Sequence, residues 1–387
     1  MMKKYIIISG FNTTDNNRGS AALGYGSITF CLQEGYLNEG QEIVAFCSTK
    51  NPSKIGKETI ERYVINGKLW TRRIINVSAY EHKFFRLTGF SLPFTRYGKL
   101  IHNIELVAAI NGGDGFSDIY GTKTFLNRLS DTIFALKANI PLIILPQTLG
   151  PFSDKKNYDL GKSILQYASK VYVRDLQYTS ELEGMDVNFT ISKDLSAYML
   201  PEAWDIVVPT GSIGINISGL CYSNAFRSLS GQFDAYPQLI DRLISHFQRK
   251  GKMIFLIPHS YHYGFPEPNN DDMEACQMAY NRLHDKTNVT YIDKNLLSPQ
   301  VKYLISKMSF FIGSRMHANF AAIYSKVPVF GLAYSYKFKG AFDANGLDGM
   351  KQTAMINNIK QEDIEGIIQR IENFYIECSN NLGELPR

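Results

Sequence analysis

Residues 308–337 constrain the architecture more tightly than any other part of the chain. Met308–Ile312 is a short apolar run of strand length, Gly313 breaks it, and Ser314-Arg315-Met316-His317-Ala318-Asn319-Phe320 opens a helix. Val327-Pro328-Val329-Phe330-Gly331-Leu332-Ala333 then reads as a second buried strand, with Lys337 just beyond it. Buried strands separated by a helix predict an α/β sheet with helices packed on it. The turn after the first strand is chemically loaded as well. Free N–H groups at a helix N-terminus favour an anion, and Ser314, Arg315, His317 and Lys337 add donors and positive charge. Placed at a strand's carboxyl end, where open α/β sheets take ligands, these residues read as a site for a small, multiply charged anion.

The same alternation runs along the rest of the chain. Strand Tyr5–Ser9 leads into a polar loop containing Asp15 and Asn16, then into helix Ala21–Glu34. The loop has neither GxGxxG nor GxxxxGK[ST], so neither a dinucleotide nor a P-loop reading is supported. Strands follow at Ile43–Cys47, Leu106–Ile110, Pro141–Leu145 and Lys170–Val173, with helices at Lys123–Ala138 and Lys156–Ala168. Strand Leu106–Ile110 ends in Asn111-Gly112-Gly113-Asp114, where glycines allow close backbone approach to a ligand. Gln147 follows the next strand and Arg174 the last. Pro201 and Pro209 mark a boundary, after which strands and helices alternate again through Ser212–Ser218, Pro237–Lys250, Met253–Pro258, Met273–Leu283, Val289–Ile292 and Pro299–Lys307. A terminal helix is expected at Glu362–Glu377. The fold class is therefore α/β, with two Rossmann-like domains, residues 1–200 and 201–387, facing a central cleft.

Composition excludes several function classes. A net charge of +5 over 387 residues is too small to argue for nucleic acid. The five cysteines show no CxxC spacing, and His259 and His262 have no carboxylate at ligand spacing. No metal is expected, and a reducing cytoplasm is. The apolar run after Lys3-Lys4 is too short for a signal peptide, and no stretch reaches the ~18 apolar residues of a membrane span. Residues 50–100 read as an insertion rich in basic and aromatic residues, among them His82-Lys83-Phe84-Phe85-Arg86 and Phe90 to Phe94. Two readings of this mixture stay open: an insertion with a solvated charged face, and contact with an anionic membrane surface or a lipid-linked acceptor at the inner face of the membrane.

Several landmarks together carry a resemblance: Asn16-Asn17-Arg18-Gly19, Gly112-Gly113, Pro146-Gln147-Thr148-Leu149-Gly150-Pro151, Arg174-Asp175, Asp194, His259, Ser314-Arg315-Met316-His317 and Lys337. In this order the chain resembles the polysaccharide pyruvyl transferase family, over most of its length. The resemblance implies a GT-B-like fold and no cofactor, with phosphoenolpyruvate as donor substrate. It also implies transfer of the pyruvyl group onto two hydroxyls of a sugar or lipid-linked oligosaccharide in exopolysaccharide or capsule biosynthesis. A cyclic ketal and phosphate are the products.

The residue chemistry is compatible with that implication. Phosphoenolpyruvate carries a carboxylate and a phosphate, which arginine grips with a bidentate fork. By resemblance Arg174 and Arg315 hold the donor and Lys337 its phosphate, with Ser314 beside them. His317 is the candidate general acid for the donor's methylene carbon, since histidine donates a proton near neutral pH. Asp15, Asn16, Gly113, Asp114 and Gln147 are the candidate acceptor residues, with Asp114 and Asp15 as alternative bases. Ser20 stands where many relatives carry an acidic residue. Two other readings remain open at this point. One is a GT-B nucleotide-sugar glycosyltransferase using Asp271 and Glu274 for a ribose; the other is a non-catalytic member of a polysaccharide-assembly complex.

Overall fold

The computed structural model describes residues 5–261 and 267–383. The chain divides into two compact units, Met1–Asn12 with Leu23–Tyr198, and Thr13–Ala22 with Met199–Arg387. The sequence-based assignment of all residues before 200 to one domain needs correction: Thr13–Ala22 belongs with the second unit.

In chain order the elements up to Tyr198 are β1 (Tyr5–Ser9), α1 (Arg18–Gln33), β2 (Glu42–Thr49), β3 (Glu58–Ile65), β4 (Lys68–Ser78), α2 (Ala79–Thr88), α3 (Arg96–Ile101), β5 (Ile104–Ala109), α4 (Thr122–Arg128), α5 (Ser130–Ala138), β6 (Leu142–Gln147), α6 (Lys155–Tyr167), β7 (Lys170–Val173), α7 (Thr179–Gly184) and β8 (Thr190–Ile191). Their strands form one sheet in the order β3-β4-β2-β1-β5-β6-β7-β8. All pairs are parallel except the β3/β4 hairpin. The order reverses between β1 and β5, so the Asn111–Asp114 turn after β5 lies beside the sheet's switch point.

Residues 50–100 are not a loose insertion. Ile65 pairs with Lys68, leaving Asn66-Gly67 as a two-residue turn with φ of 54° and 73°. Positive φ at both central residues is what a hairpin turn matched to strand twist requires, and Asn-Gly is its strongest sequence signal. β4 then pairs along β2 from Ile43↔Arg72 to Thr49↔Ser78, making the hairpin an integral part of the sheet. The helix expected over Lys123–Ala138 is broken at Leu129. There the Asn111 side chain donates to the Arg128 carbonyl at 2.7 Å.

The second unit contains β9 (Ile213–Asn216), α8 (Gly219–Ser223), α9 (Tyr236–Arg249), β10 (Ile254–Leu256), α10 (Asp272–Arg282), β11 (Val289–Tyr291), α11 (Ser298–Ser306), β12 (Phe310–Gly313), α12 (Met316–Tyr324), β13 (Val329–Ala333), α13 (Lys337–Ala344), β14 (Thr353–Met355) and α14 (Asp363–Gly383). The sheet runs β11-β10-β9-β12-β13-β14, parallel throughout. Strand periodicity sends alternate residues to opposite faces. Accordingly, Phe310 and Ile312 pack with Leu239, Leu243 and Phe247 of α9, while Phe311 packs with Val301 and Leu304 of α11 on the other side. Burial on both faces explains why β12 reads as an unbroken apolar run. Here the order reverses between β9 and β12, which places Asn216 and Ser314 at the switch point.

Candidate active site

At that switch point the second unit builds a buried polar network. Gly313 ends β12 where a Cβ would lie 2.1 Å from Asn319 Oδ1, so only glycine lets α12 start this close. Ser314 is fully buried, with its Oγ 2.7 Å from the Tyr236 hydroxyl. That hydroxyl also accepts the Ser218 N–H at 3.1 Å. The structure thus places the expected donor ligand Ser314 with its hydroxyl bonded to Tyr236. The Arg315 N–H donates to Asn216 Oδ1 at 2.9 Å, fixing the entry into α12.

The Arg315 guanidinium is anchored through its Nε and Nη2. Its Nε donates to both Asp272 oxygens at 3.0 and 3.2 Å, and its Nη2 to Asp272 Oδ1 at 2.5 Å and Asn270 Oδ1 at 2.6 Å. Asp272 also accepts the N–H groups of Gly219 at 2.8 Å and of His259 and Ser260 at 3.1 Å. Burial opposes the arginine's charge, but the Asp272 carboxylate outweighs it and raises the pKa further. Of the two neighbouring carboxylates, Asp271 caps α10, accepting the N–H groups of Met273 and Glu274, while Asp272 fixes Arg315.

The first loop joins this site from the chain's far end. Arg18 is buried and donates its Nε to the Leu296 carbonyl at 2.6 Å, with further bonds to the Asp15 carbonyl and the Asn295 side chain. Its guanidinium lies 4.6 Å from the Tyr261 ring centre, and its N–H donates to the His259 carbonyl at 3.0 Å. Asp15 accepts the Asn17 N–H at 2.8 Å, and burial pushes its carboxyl pKa up. The Asn16 carbonyl accepts the Tyr261 N–H at 3.0 Å. Asp15 and Asn16 thus group with His317 in the second unit, apart from the other expected acceptor residues.

Gly19 has a steric reason. A Cβ there would lie 2.6 Å from His317 Nδ1 and 2.7 Å from its Cγ, inside any tolerable contact. The imidazole also packs edge-on against Phe320, with ring centres 5.5 Å apart. Gly19→Ala is expected to displace His317 and to cost about 1–3 kcal/mol through overpacking. Urea denaturation reads the cost, and loss of turnover at normal expression reads the displacement.

His259 completes the basic group. It is buried, and desolvation followed by the charges of His317, Arg315 and Arg18 holds its imidazole well below the usual histidine range. Below about pH 6.5 the unfolded chain accepts a proton at this residue that the folded chain refuses, so stability falls as pH drops. The slope from this one residue is about 1.4 kcal/mol per pH unit. Urea midpoints compared at about pH 7.5 and 5.5 should therefore fall less in His259→Asn than in the unsubstituted protein. His82 and His246 shift in the same direction but are common to both proteins, so the difference isolates His259. His262 lies outside the described residues. Lys337 is half-buried at the start of α13, following β13.

The remaining predicted residues form a separate group in the first unit. Arg174 donates to Asp194 at 2.7 Å and to the Thr148 hydroxyl at 3.1 Å. Burial opposes its charge, and Asp194 with Asp175 restores it. A Cβ added at Gly113, whose φ is +84°, would lie 3.0 Å from Arg174 Nη1. Asp114 accepts the Tyr120 hydroxyl at 2.8 Å and lies 3.8 Å from Arg128. Gln147 is fully buried, with its Oε1 accepting the Asn111 N–H at 2.8 Å and its Nε2 donating to the Ala109 carbonyl at 3.1 Å. Both ends of the Gln147 amide thus hold the backbone beside the glycine turn. Sequence reasoning missed Asp272, Asn270, Asn216 and the anchoring role of Arg18. Nothing in an Asn-Asn-Asp-Asp run distinguishes a helix cap from a buried counter-ion.

Two parallel-rich α/β units of this kind define a GT-B-like protein, and comparison with solved structures agrees. A UDP-GlcNAc 2-epimerase from Methanocaldococcus jannaschii is similar at 10% identity and a TM-score of 0.51, over 95% of this chain and 92% of its own. The S. aureus protein MnaA, solved with UDP, is similar at 11% identity and a TM-score of 0.51, over 97% and 90% respectively. At such identities the likeness concerns the fold alone. No curated protein matches the chain significantly. The polysaccharide pyruvyl transferase family matches residues 17–336, and the chain belongs to that family. Among the described residues no helix is long and apolar enough to cross a membrane.

Proposed function

We propose that this protein transfers the pyruvyl group of phosphoenolpyruvate onto two hydroxyls of a sugar in a surface polysaccharide precursor, giving a cyclic ketal and inorganic phosphate. The observation carrying this reading is family membership across residues 17–336, in a chain that gathers Arg18, His259, Arg315 and His317 at the switch point of its second unit. Positive charge at strand ends suits a compact anion. Arg315 and Lys337 are the proposed donor ligands, and Asp272 positions the first of them. His317 delivers a proton to the donor's methylene carbon. A sugar hydroxyl then attacks C2, giving up its proton to Asp15. Phosphate departs with its bonding electrons and takes up the proton of the second hydroxyl as that hydroxyl closes the ring.

Thermal stabilisation by phosphoenolpyruvate, compared with UDP-sugars, tests the donor. A ligand at about 100 times its Kd adds about 2.7 kcal/mol of stability. That gain should appear with phosphoenolpyruvate and be lost in Lys337→Ala, a safer variant than Arg315→Ala, which would strand Asp272. Stabilisation by a UDP-sugar alone would favour the nucleotide-sugar reading.

A further inference from the structure

The first unit carries an apolar surface that its core does not use. In α2 the side chains of Tyr80, Phe84 and Leu87 fall along one helical face, and all are exposed, while Phe85 is the residue of this helix that enters the core. Beyond the Gly89 cap the loop continues with Phe90 and Phe94, which are 73% and 74% exposed. Ordinary amphipathic helices hide their apolar stripe; this one presents it.

The hairpin adds to the same side. Along β4 the odd-numbered residues share a face, and Ile75 and Val77 on that face pack in the cluster containing Phe85. Leu69 is therefore on the face that α2 covers, with Val64 opposite it, and both are exposed. Ten of the 21 exposed large hydrophobic residues among those described fall between Ile55 and Phe94. Such concentration distinguishes a patch from the singly scattered apolar residues of any surface.

Charge identifies what the patch fits. Lys54, Lys57, Arg62, Lys83 and Lys99 are exposed and form no ion pair among the described residues. The local carboxylates are engaged, Glu58 by Arg73 and Arg96, Glu61 by Arg72, and Glu81 by the Thr95 hydroxyl. Lys83 sits within the apolar stripe between Tyr80 and Phe84. Lysine is depleted at the centre of protein interfaces, whereas at a headgroup layer its stem lies against apolar neighbours while the ammonium reaches lipid phosphate. We infer that this face of the first unit docks on an anionic bilayer surface, its aromatic side chains entering the headgroup region. The inference is independent of the reaction proposed above.

Sedimentation of the full-length protein with vesicles tests it without any activity assay. Binding is expected to vesicles containing phosphatidylglycerol, to be weak on phosphatidylcholine alone, and to fall with added salt. The triple variant Phe84→Ser/Phe90→Ser/Phe94→Ser, and separately Lys83→Glu/Lys99→Glu, should each weaken binding about tenfold or more with an unchanged melting temperature. Equal sedimentation with both lipids, or retention of binding by both variants, would overturn the inference. So would self-association that the triple variant abolishes in the absence of any vesicle binding, because it would assign the patch to a second copy of the chain.

Discussion

Asp272→Ala is expected to destabilise the protein by about 3–5 kcal/mol, the range for removing one partner of a buried ion pair. The loss has two sources. Arg315 would keep its charge in a buried site without its counter-ion, and the N–H groups of Gly219, His259 and Ser260 would lose their acceptor. Arg315→Lys is expected to be damaging too, because an ammonium cannot span Asp272 and Asn270 as the guanidinium does. Urea denaturation followed by tryptophan fluorescence measures both. A loss below about 1 kcal/mol for Asp272→Ala would mean that the pair behaves as an exposed one.

His317→Ala should lower turnover by about 10²- to 10⁴-fold, the usual contribution of a positioned acid. Donor affinity should stay within about tenfold if its role is proton delivery rather than binding. Phosphate release under saturating donor gives the first quantity and thermal titration with phosphoenolpyruvate the second. Full turnover in this variant would remove the general-acid assignment. A large loss of donor affinity with normal turnover would make the imidazole a binding group. Gly19→Ala should resemble His317→Ala in turnover if the close approach of residue 19 is what places the ring.

Much of this arrangement was legible in residue order. Phe310-Phe311-Ile312-Gly313 announces a strand buried on both faces, and the basic residues after it stand where the sheet order reverses. Less legible was what those basic residues do. Arg315 looks like a ligand-gripping fork, but its partners Asp272 and Asn270 are more than forty positions away in sequence, and such pairing is invisible to local patterning. Ser314 and Gln147 have the types expected of ligand contacts, yet burial commits them to Tyr236 and to the backbone. The regular elements within residues 50–100 were hard to read for a different reason. Glu58–Ile65 is an edge strand whose outer face is not covered, so its apolar and charged residues blur the alternation, and the Asn66-Gly67 turn was the signal to weigh.

The route of the backbone has a consequence for how such proteins can be recombined. The chain changes unit at Asn12/Thr13, Ala22/Leu23 and Tyr198/Met199, and Arg18, in the short intervening segment, is bonded to Leu296 and Asn295. A chimera joined at residue 199 would combine one parent's C-terminal half with the other parent's Thr13–Ala22, and Gly19 would then face a foreign histidine. Inheritance of a working site would require those ten residues to travel with a stretch of coding sequence almost two hundred codons downstream. Functional hybrids should therefore arise from double exchanges that carry both pieces from one parent, and single exchanges at the apparent midpoint should be selected against.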